Sequence, residues 1–427
     1  MKTILQLILV SVLCVSVNAQ DQDSSYLAIV GGDIHTVTDG VIMKGVVLCK
    51  DSRILKVGKR VRIPEGAEII NAEGMQVYPG LIAVDASGIV SGRGVAVADS
   101  YDPYALNIDL ALAGGITTVQ TGGMVANLKH GTIDNVLVGP TEWVNLNYSS
   151  TSSAGRRRVR DEFSKGRDFM RLHRSWELTS SMGEDAGDEP EAKGVKPEYL
   201  SLLKGEATAR FSANSLKDLL ATCELLEEYP MQSVIFGGQE AWACAGRLGR
   251  VNARLVITPR NKKWASDDLN RPSGWTIENA KTLWEHGVKF SILPAQNSIS
   301  LMGLAGRDLM TLPMEAAFAI RGGLQQDAAL RAITVDAAEM LGVDHRLGSI
   351  EVGKDANIIV CDGDLFHYRS FVQWAVVDGK MMYDKQQSSY FAHIRPRAEE
   401  AIDEIEEVID EIEEETIIDA PEVVDNP

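Results

Sequence analysis

Cysteine is sparse and dispersed in this chain. Of the five, Cys14 falls within the first nineteen residues, and Cys49, Cys223, Cys244 and Cys361 have neither the spacing of a disulfide framework nor that of a zinc site. Cys49 and Cys361 lie in apolar, strand-like runs and read as small buried side chains, with a bond between them as the lesser alternative in an oxidising compartment. Histidine is scarcer still for the length: His35, His130, His173, His286, His345, His367 and His393 are scattered along 427 residues. After residue 19 no apolar run reaches the roughly 20 residues that span a bilayer, so no transmembrane segment is expected once the leader is removed. A basic surplus is absent as well. The net charge is −18, which excludes a nucleic-acid-binding face. Finally, Ala398–Pro427 has no Lys or Arg at all, against fourteen Asp and Glu.

What is present begins with a leader. Lys2 supplies the positive start, Ile4–Val17 the apolar stretch, and Val17-Asn18-Ala19 the small residues of a cleavage site. Export to the periplasm or the extracellular space follows as an expectation. The remaining body has ordinary globular composition, 45% hydrophobic and 24% charged, with length for one large and one smaller domain.

Residues 26–78 read as short strands punctuated by turns: Tyr26–Val30, Gly45–Cys49, Ile54–Gly58 and Ala67–Ile70. This is the first part of a β-sandwich. From Pro79 apolar strands alternate with helical stretches. Leu81–Val84 precedes a helix over Tyr104–Ala113. The buried strand Gly114–Gln120 follows, and Ser215–Glu228 carries a regular apolar face. Strands at Ser233–Phe236, Arg254–Ile257 and Lys289–Leu293 continue the pattern. Repeated β-then-α units over 79–341 predict a (β/α)8 TIM-like barrel. Residues 149–204 interrupt it: a basic helix around Arg156–Trp176, then a polar stretch, Thr179–Gly194, expected to be mobile. This is a surface insertion or a lid over the barrel mouth. Strands return over 342–390 and complete the sandwich. Residues 396–427 form the acidic tail, where Ile402, Ile405, Ile409 and Ile412 make an apolar stripe with 3-4-3 spacing. That stripe either docks on its own body or serves as an interaction helix that binds a partner.

The stretch Val77–Ser87 organises the barrel. A Pro-Gly turn feeds a short buried strand, and Asp85 and Ser87, two residues apart, point to one side at its far end. Ser87 has no evident His–Asp partner, so a nucleophile triad is not supported. Asp85, Asp99, Asp102 and Glu240 are the carboxylates available to hold a Mg or Ca ion through waters. The plainer reading of Asp85 is a loop cap or an arginine partner. His130 is a candidate ligand or base, with a solvated loop histidine as its bland counterpart.

Several motifs carry a resemblance. Tyr78-Pro79-Gly80-Leu81-Ile82 resembles the first barrel strand of the metal-dependent amidohydrolase superfamily, and Ala113-Gly114-Gly115-Ile116-Thr117-Thr118-Val119-Gln120 its second. More specific are Ala329–Thr334, Leu341-Gly342-Val343, Gly348–Ile358 and Val376-Val377-Asp378-Gly379-Lys380. These resemble the imidazolonepropionase-like members, over roughly Tyr26–Asp384. The resemblance implies hydrolysis of C–N bonds in amides and cyclic amides by water activated on zinc or another divalent metal at the barrel mouth. It also implies His and carboxylate ligands at the strand ends. This chain departs from each slot. The His-x-His position reads Asp85-Ala86-Ser87. The strand-4 ligand falls near Val144, the strand-5 His at Asn214, the strand-6 His at Gly237 and the final Asp at Ala295. No metal or other cofactor is therefore expected.

Three functional expectations follow. The first is an exported pseudoenzyme that has lost metal binding and catalysis, either a homo-oligomer or paired with an active homologue. The second is a hydrolase of carbon–nitrogen, non-peptide bonds with an atypical site centred on Asp85. The third is a structural or interaction protein of the cell envelope acting through its tail.

Overall fold

The computed structural model describes residues 25–90, 101–266, 269–300 and 306–394. The expected leader, the acidic tail and Asp99 lie outside the described residues.

Two sheets enclose one apolar layer. Tyr26–Val30 runs antiparallel to Val46–Lys50 and parallel to Glu68–Asn71, with Arg53–Gly58 at the edge. The second sheet has six strands in the order Lys380–Asp384, Val372–Val377, Ile358–Cys361, Gln76–Pro79, Asp33–His35 and Val41–Ile42. Its central seam joins the two ends of the chain: Ile358 faces Pro79 and Val360 faces Val77, antiparallel. Period-two alternation explains the unbroken apolar run Ile358-Ile359-Val360-Cys361. Ile358 and Val360 enter the layer shared with Leu27, Ile29, Val47 and Ile54, whereas Ile359 and Cys361 enter the large central core. Cys49, Cys223, Cys244 and Cys361 are all free and buried.

The residues of the strongest motifs hold this junction. The Asp355 carboxylate is almost fully buried and pairs with Arg53 at 2.5 Å and Arg346 at 2.7 Å. Asn357 donates through Nδ2 to Asn127 Oδ1 (2.9 Å) and Thr118 Oγ1 (3.2 Å), bonding the seam to the neighbouring sheet. Lys129, also buried, reaches Asp378 at 2.7 Å. Gly379 has φ +75°, and a Cβ there would collide with the Asp51 carbonyl oxygen, so the turn after Val377 admits only glycine. These motif residues are structural.

The central segment departs from the closed barrel expected. Its strands form two separate sheets. One is mixed: Leu81–Ala83, Ile116–Thr121, Met124–Asn127 and Leu137–Pro140, with the last two antiparallel additions. The other is wholly parallel: Trp143–Asn145, Thr208–Ala213, Ser233–Gly237, Arg254–Ile257 and Phe290–Ile292. Between Phe290–Ile292 and Leu81–Ala83 the helical block takes the place of closing strands. Ile82 N–H donates to the Ile333 carbonyl at 2.9 Å, and the helix Val335–Leu341 touches both edge strands. That block includes two short helices, Gln326–Ala332 and Val335–Leu341. Thr334, between them, is non-helical (φ −133°, ψ −98°), and its hydroxyl donates to the Leu330 carbonyl at 2.6 Å.

The insertion is built around a 29-residue helix, Ser153–Ser181, capped by the Ser152 hydroxyl. Val159, Phe163 and Gly166 turn inward. Phe163 stacks on Tyr229 and meets Tyr199 edge-on. The following polar stretch is tied back rather than free: Glu189 bonds His173 at 3.1 Å, and the Gly187 carbonyl accepts from Trp176 Nε1 at 3.0 Å. Among the described residues, no helix is long and apolar enough to cross a membrane.

Candidate functional site

The strand Leu81–Ala83 delivers Asp85 to the C-terminal end of the central sheets. Asp85 sits at φ +58°, a left-handed conformation that Asp tolerates better than most residues. Three bonds hold it there. Its N–H donates to Gln120 Oε1 (2.9 Å), its carbonyl accepts from Asn297 Nδ2 (2.6 Å), and its Oδ2 accepts from Arg210 Nη2 (2.9 Å). Ser87 is exposed and donates to Asn297 Oδ1 at 3.0 Å. Asp85 thus adopts the quieter of its two sequence readings, pairing with an arginine. Burial pushes its carboxyl above the usual carboxylate range, and the Arg210 guanidinium opposes that rise.

Arg210 is the centre of the site. It lies on Thr208–Ala213, and the register puts it on one face with Trp143, Asn145, Ser212, Val234 and Phe236. Its guanidinium carbon lies 4.2 Å from the Phe236 ring centre and 5.8 Å from that of Trp143. The two rings meet edge-on at 5.7 Å. An arginine therefore bridges the two central sheets, aromatic on one side and carboxylate on the other.

The other expected positions do not converge on Asp85. Val144 pairs with Ala209 and faces away from Arg210, on the side that carries Phe211 and Ala213. Asn214 and Gly237 do meet. Gly237 has φ +111°, and a Cβ on it would overlap the Asn214 amide. Ala295 is exposed and offers no donor atom; the neighbour that reaches the site is Asn297, two residues on. Glu240 is buried for structural reasons. It accepts from the Gly274 and Leu216 N–H groups (2.7 and 2.8 Å) and from Arg271 (3.1 Å), fastening the 260–275 loop to the helix Leu216–Glu228. Asp102 is exposed and closes its own turn on the Tyr104 N–H. His130 is exposed against the Tyr104 ring. Leu128, two residues before it, donates to the Thr117 carbonyl near the start of Ile116–Thr121, whereas Gln120, near that strand's end, holds Asp85.

A divalent metal does not fit this donor set. Asp85 Oδ2 is committed to a guanidinium, Val144, Gly237 and Ala295 carry no side-chain donor, and Asn214 is neutral. Among the described residues no three His, Cys, Asp or Glu side chains are grouped to hold a metal.

Arg210, Gln120 and Asn297 were the residues sequence reasoning missed. Parity was the available signal: Thr208, Arg210 and Ser212 are the polar positions of the strand Thr208–Ala213 and alternate with apolar residues, so they share a face.

The hydrogen bonds of Glu240 hold its carboxyl below the usual carboxylate range despite burial. A group with a lowered folded pKa stabilises fully above its unfolded value and loses that contribution as pH falls through the folded one. Acid should therefore destabilise the chain below about pH 4.5, in part through Glu240. Glu240→Gln should flatten that acid limb in unfolding curves taken between pH 3 and 6; an unaltered slope would remove Glu240 from the account.

The comparisons fit this geometry. An amidohydrolase from Thermotoga maritima MSB8 superposes with a TM-score of 0.65 at 24% identity, covering 84% of this chain and 100% of that one. A prolidase complexed with N-methylphosphonate-L-proline follows at 0.51 and 17%, over 84% and 100%. The β-aspartyl dipeptidase of Fervidobacterium islandicum AW-1, in complex with a β-Asp-Leu dipeptide, stands at 0.50 and 14%, over 85% and 97%. The likeness to these structures is one of fold. Residues 266–389 match the amidohydrolase family model. No curated protein matches the sequence.

Proposed function

We propose that this is an exported amidohydrolase-fold protein that binds rather than cleaves, as a self-associating subunit or the companion of an active homologue. The Asp85–Arg210 ion pair carries the reading. A fixed guanidinium beside the His-x-His slot repels a divalent cation and takes the carboxylate that would have helped to bind one. Export rests on the leader over 1–19. The domain plan we infer is an opened (β/α)8 barrel, 79–341, set into a composite sandwich of 26–78 and 342–390. Hydrolysis of an amide by Asp85 is disfavoured, because the Oδ2 that would take a proton is already bonded to the Arg210 guanidinium.

The ligand class follows from Arg210. A half-exposed cation between Trp143 and Phe236 suits a small carboxylate that replaces Asp85 as its partner. Zinc or manganese equilibrated with the purified full chain, then dialysed and quantified by elemental analysis, should stay far below one ion per chain. One tightly held ion per chain, lost in Asp85→Asn, would overturn the proposal.

A further inference from the structure

A second feature lies at the other end of the molecule. A groove of about 530 Å³ opens between the helix Leu312–Arg321 and the 362–372 loop, lined by Met310, Met314, Phe318, Leu365, Phe371 and Phe391 among others. Gly114 also lines it and precedes the strand Ile116–Thr121. The groove thus borders the N-terminal end of that strand, whereas Asp85 is held near its C-terminal end. Its walls are apolar, and Met314 and Tyr368 are left strongly exposed. An uncovered aromatic surface of this kind marks a contact.

The path of the chain identifies the occupant. Phe391 forms part of the wall, and Lys385 Nζ bonds the carbonyl of Ile394, where the described residues end. Residues 395–427 therefore leave from the rim of the groove. Ile402 is eight positions beyond Ile394, a reach of about 12 Å if helical and about 27 Å if extended. Ile402, Ile405, Ile409 and Ile412 then follow at spacings that line one face of a helix. Charge agrees. The exposed Arg321 lines the groove, and the exposed Arg369 stands between two lining residues. The nearby carboxylates are already engaged: Asp362 accepts from the Phe371 N–H and Gln373, and Asp364 from Gln326. Among the described residues neither Arg321 nor Arg369 has an ion-pair partner, so both are open to an acidic segment.

We infer that the isoleucine stripe of residues 398–415 docks into this groove on its own chain, covering the aromatic wall while its carboxylates meet Arg321 and Arg369. The test uses the full chain with Ile405→Asp/Ile409→Asp in the tail, and separately Met314→Asp in the groove, read by hydrogen–deuterium exchange. In the tail variant, amides of Leu312–Arg321 should exchange at least tenfold faster, while Thr208–Ala213 is unchanged. In Met314→Asp the 398–415 amides should accelerate similarly. Both effects should be independent of protein concentration. Unchanged exchange in the helix of the tail variant overturns the proposal, and so does protection that disappears on dilution, which would assign the groove to the tail of a second copy. The tail variant alters no described residue, so it decides the matter even if Met314→Asp folds poorly.

Discussion

Glu315→Ala should lower the stability of the chain by about 3–5 kcal/mol, the usual cost of stripping one partner from a buried ion pair. The Glu315 side chain is 1% exposed and accepts from both the backbone N–H and Nε of Arg260, each at 2.6 Å. Arg260 is itself 13% exposed. It also donates to the Gly306 carbonyl (2.8 Å) and lies over the Phe318 ring at 5.2 Å. Without the carboxylate this guanidinium remains enclosed with no counter-charge. The pair fastens the loop after Arg254–Ile257 to the helix Leu312–Arg321, so that helix should loosen first. A fall of about 5 °C in Tm is the corresponding thermal shift for a body of this size. Arg260→Met combined with Glu315→Leu should recover most of the loss, because apolar side chains of similar volume carry no desolvation cost. A single variant within about 1 kcal/mol of the parent would show that water reaches Arg260 freely.

The second large effect concerns the site. Arg210→Met leaves Asp85 partly buried with no cation. Its carboxyl already sits above the ordinary value through burial, and Arg210 is the group opposing the rise, so the variant raises it further. The sign follows from linkage. Between the unfolded and the raised folded value the native state holds the extra proton, so stability falls as pH climbs through that window. Arg210→Met should therefore be close to the parent at pH 4 and deficient at pH 7.5, by about 1–3 kcal/mol. Asp85→Asn/Arg210→Met should lose the pH dependence of that deficit. Denaturant midpoints at both pH values measure it. An equal deficit at pH 4 and 7.5 would trace the loss to the stacking of Arg210 on Phe236 instead. The same variant bears on the ligand reading, since a carboxylate held by Arg210 should no longer bind.

Much of the scaffold was legible in the residues. Tyr26–Val30 and Arg254–Ile257 are strands where alternation and apolar runs placed them, and Ser215 caps the helix Leu216–Glu228 through the Asp218 N–H. The motif residues were legible as a resemblance, whereas the partners that Asp355 and Asn357 bond, Arg53 and Asn127, lie far away in the sequence. Barrel closure was not. Whether Phe290–Ile292 bonds to Leu81–Ala83 depends on what lies between them, and there the Ile333 carbonyl and its helices intervene. Periodicity reports which face of a strand is buried and says nothing about its second neighbour.

The site divides in the same way. One sequence is enough to read which residues stand at 85, 87, 144, 214, 237 and 295, since that is a matter of residue identity. Three-dimensional packing alone decided what they meet. Asp85 and Arg210 are 125 positions apart and meet only because two sheets converge. Asn297, 212 positions from Asp85, closes the same loop. Long-range contacts of this kind are set by the register and approach of whole elements, which no local pattern encodes.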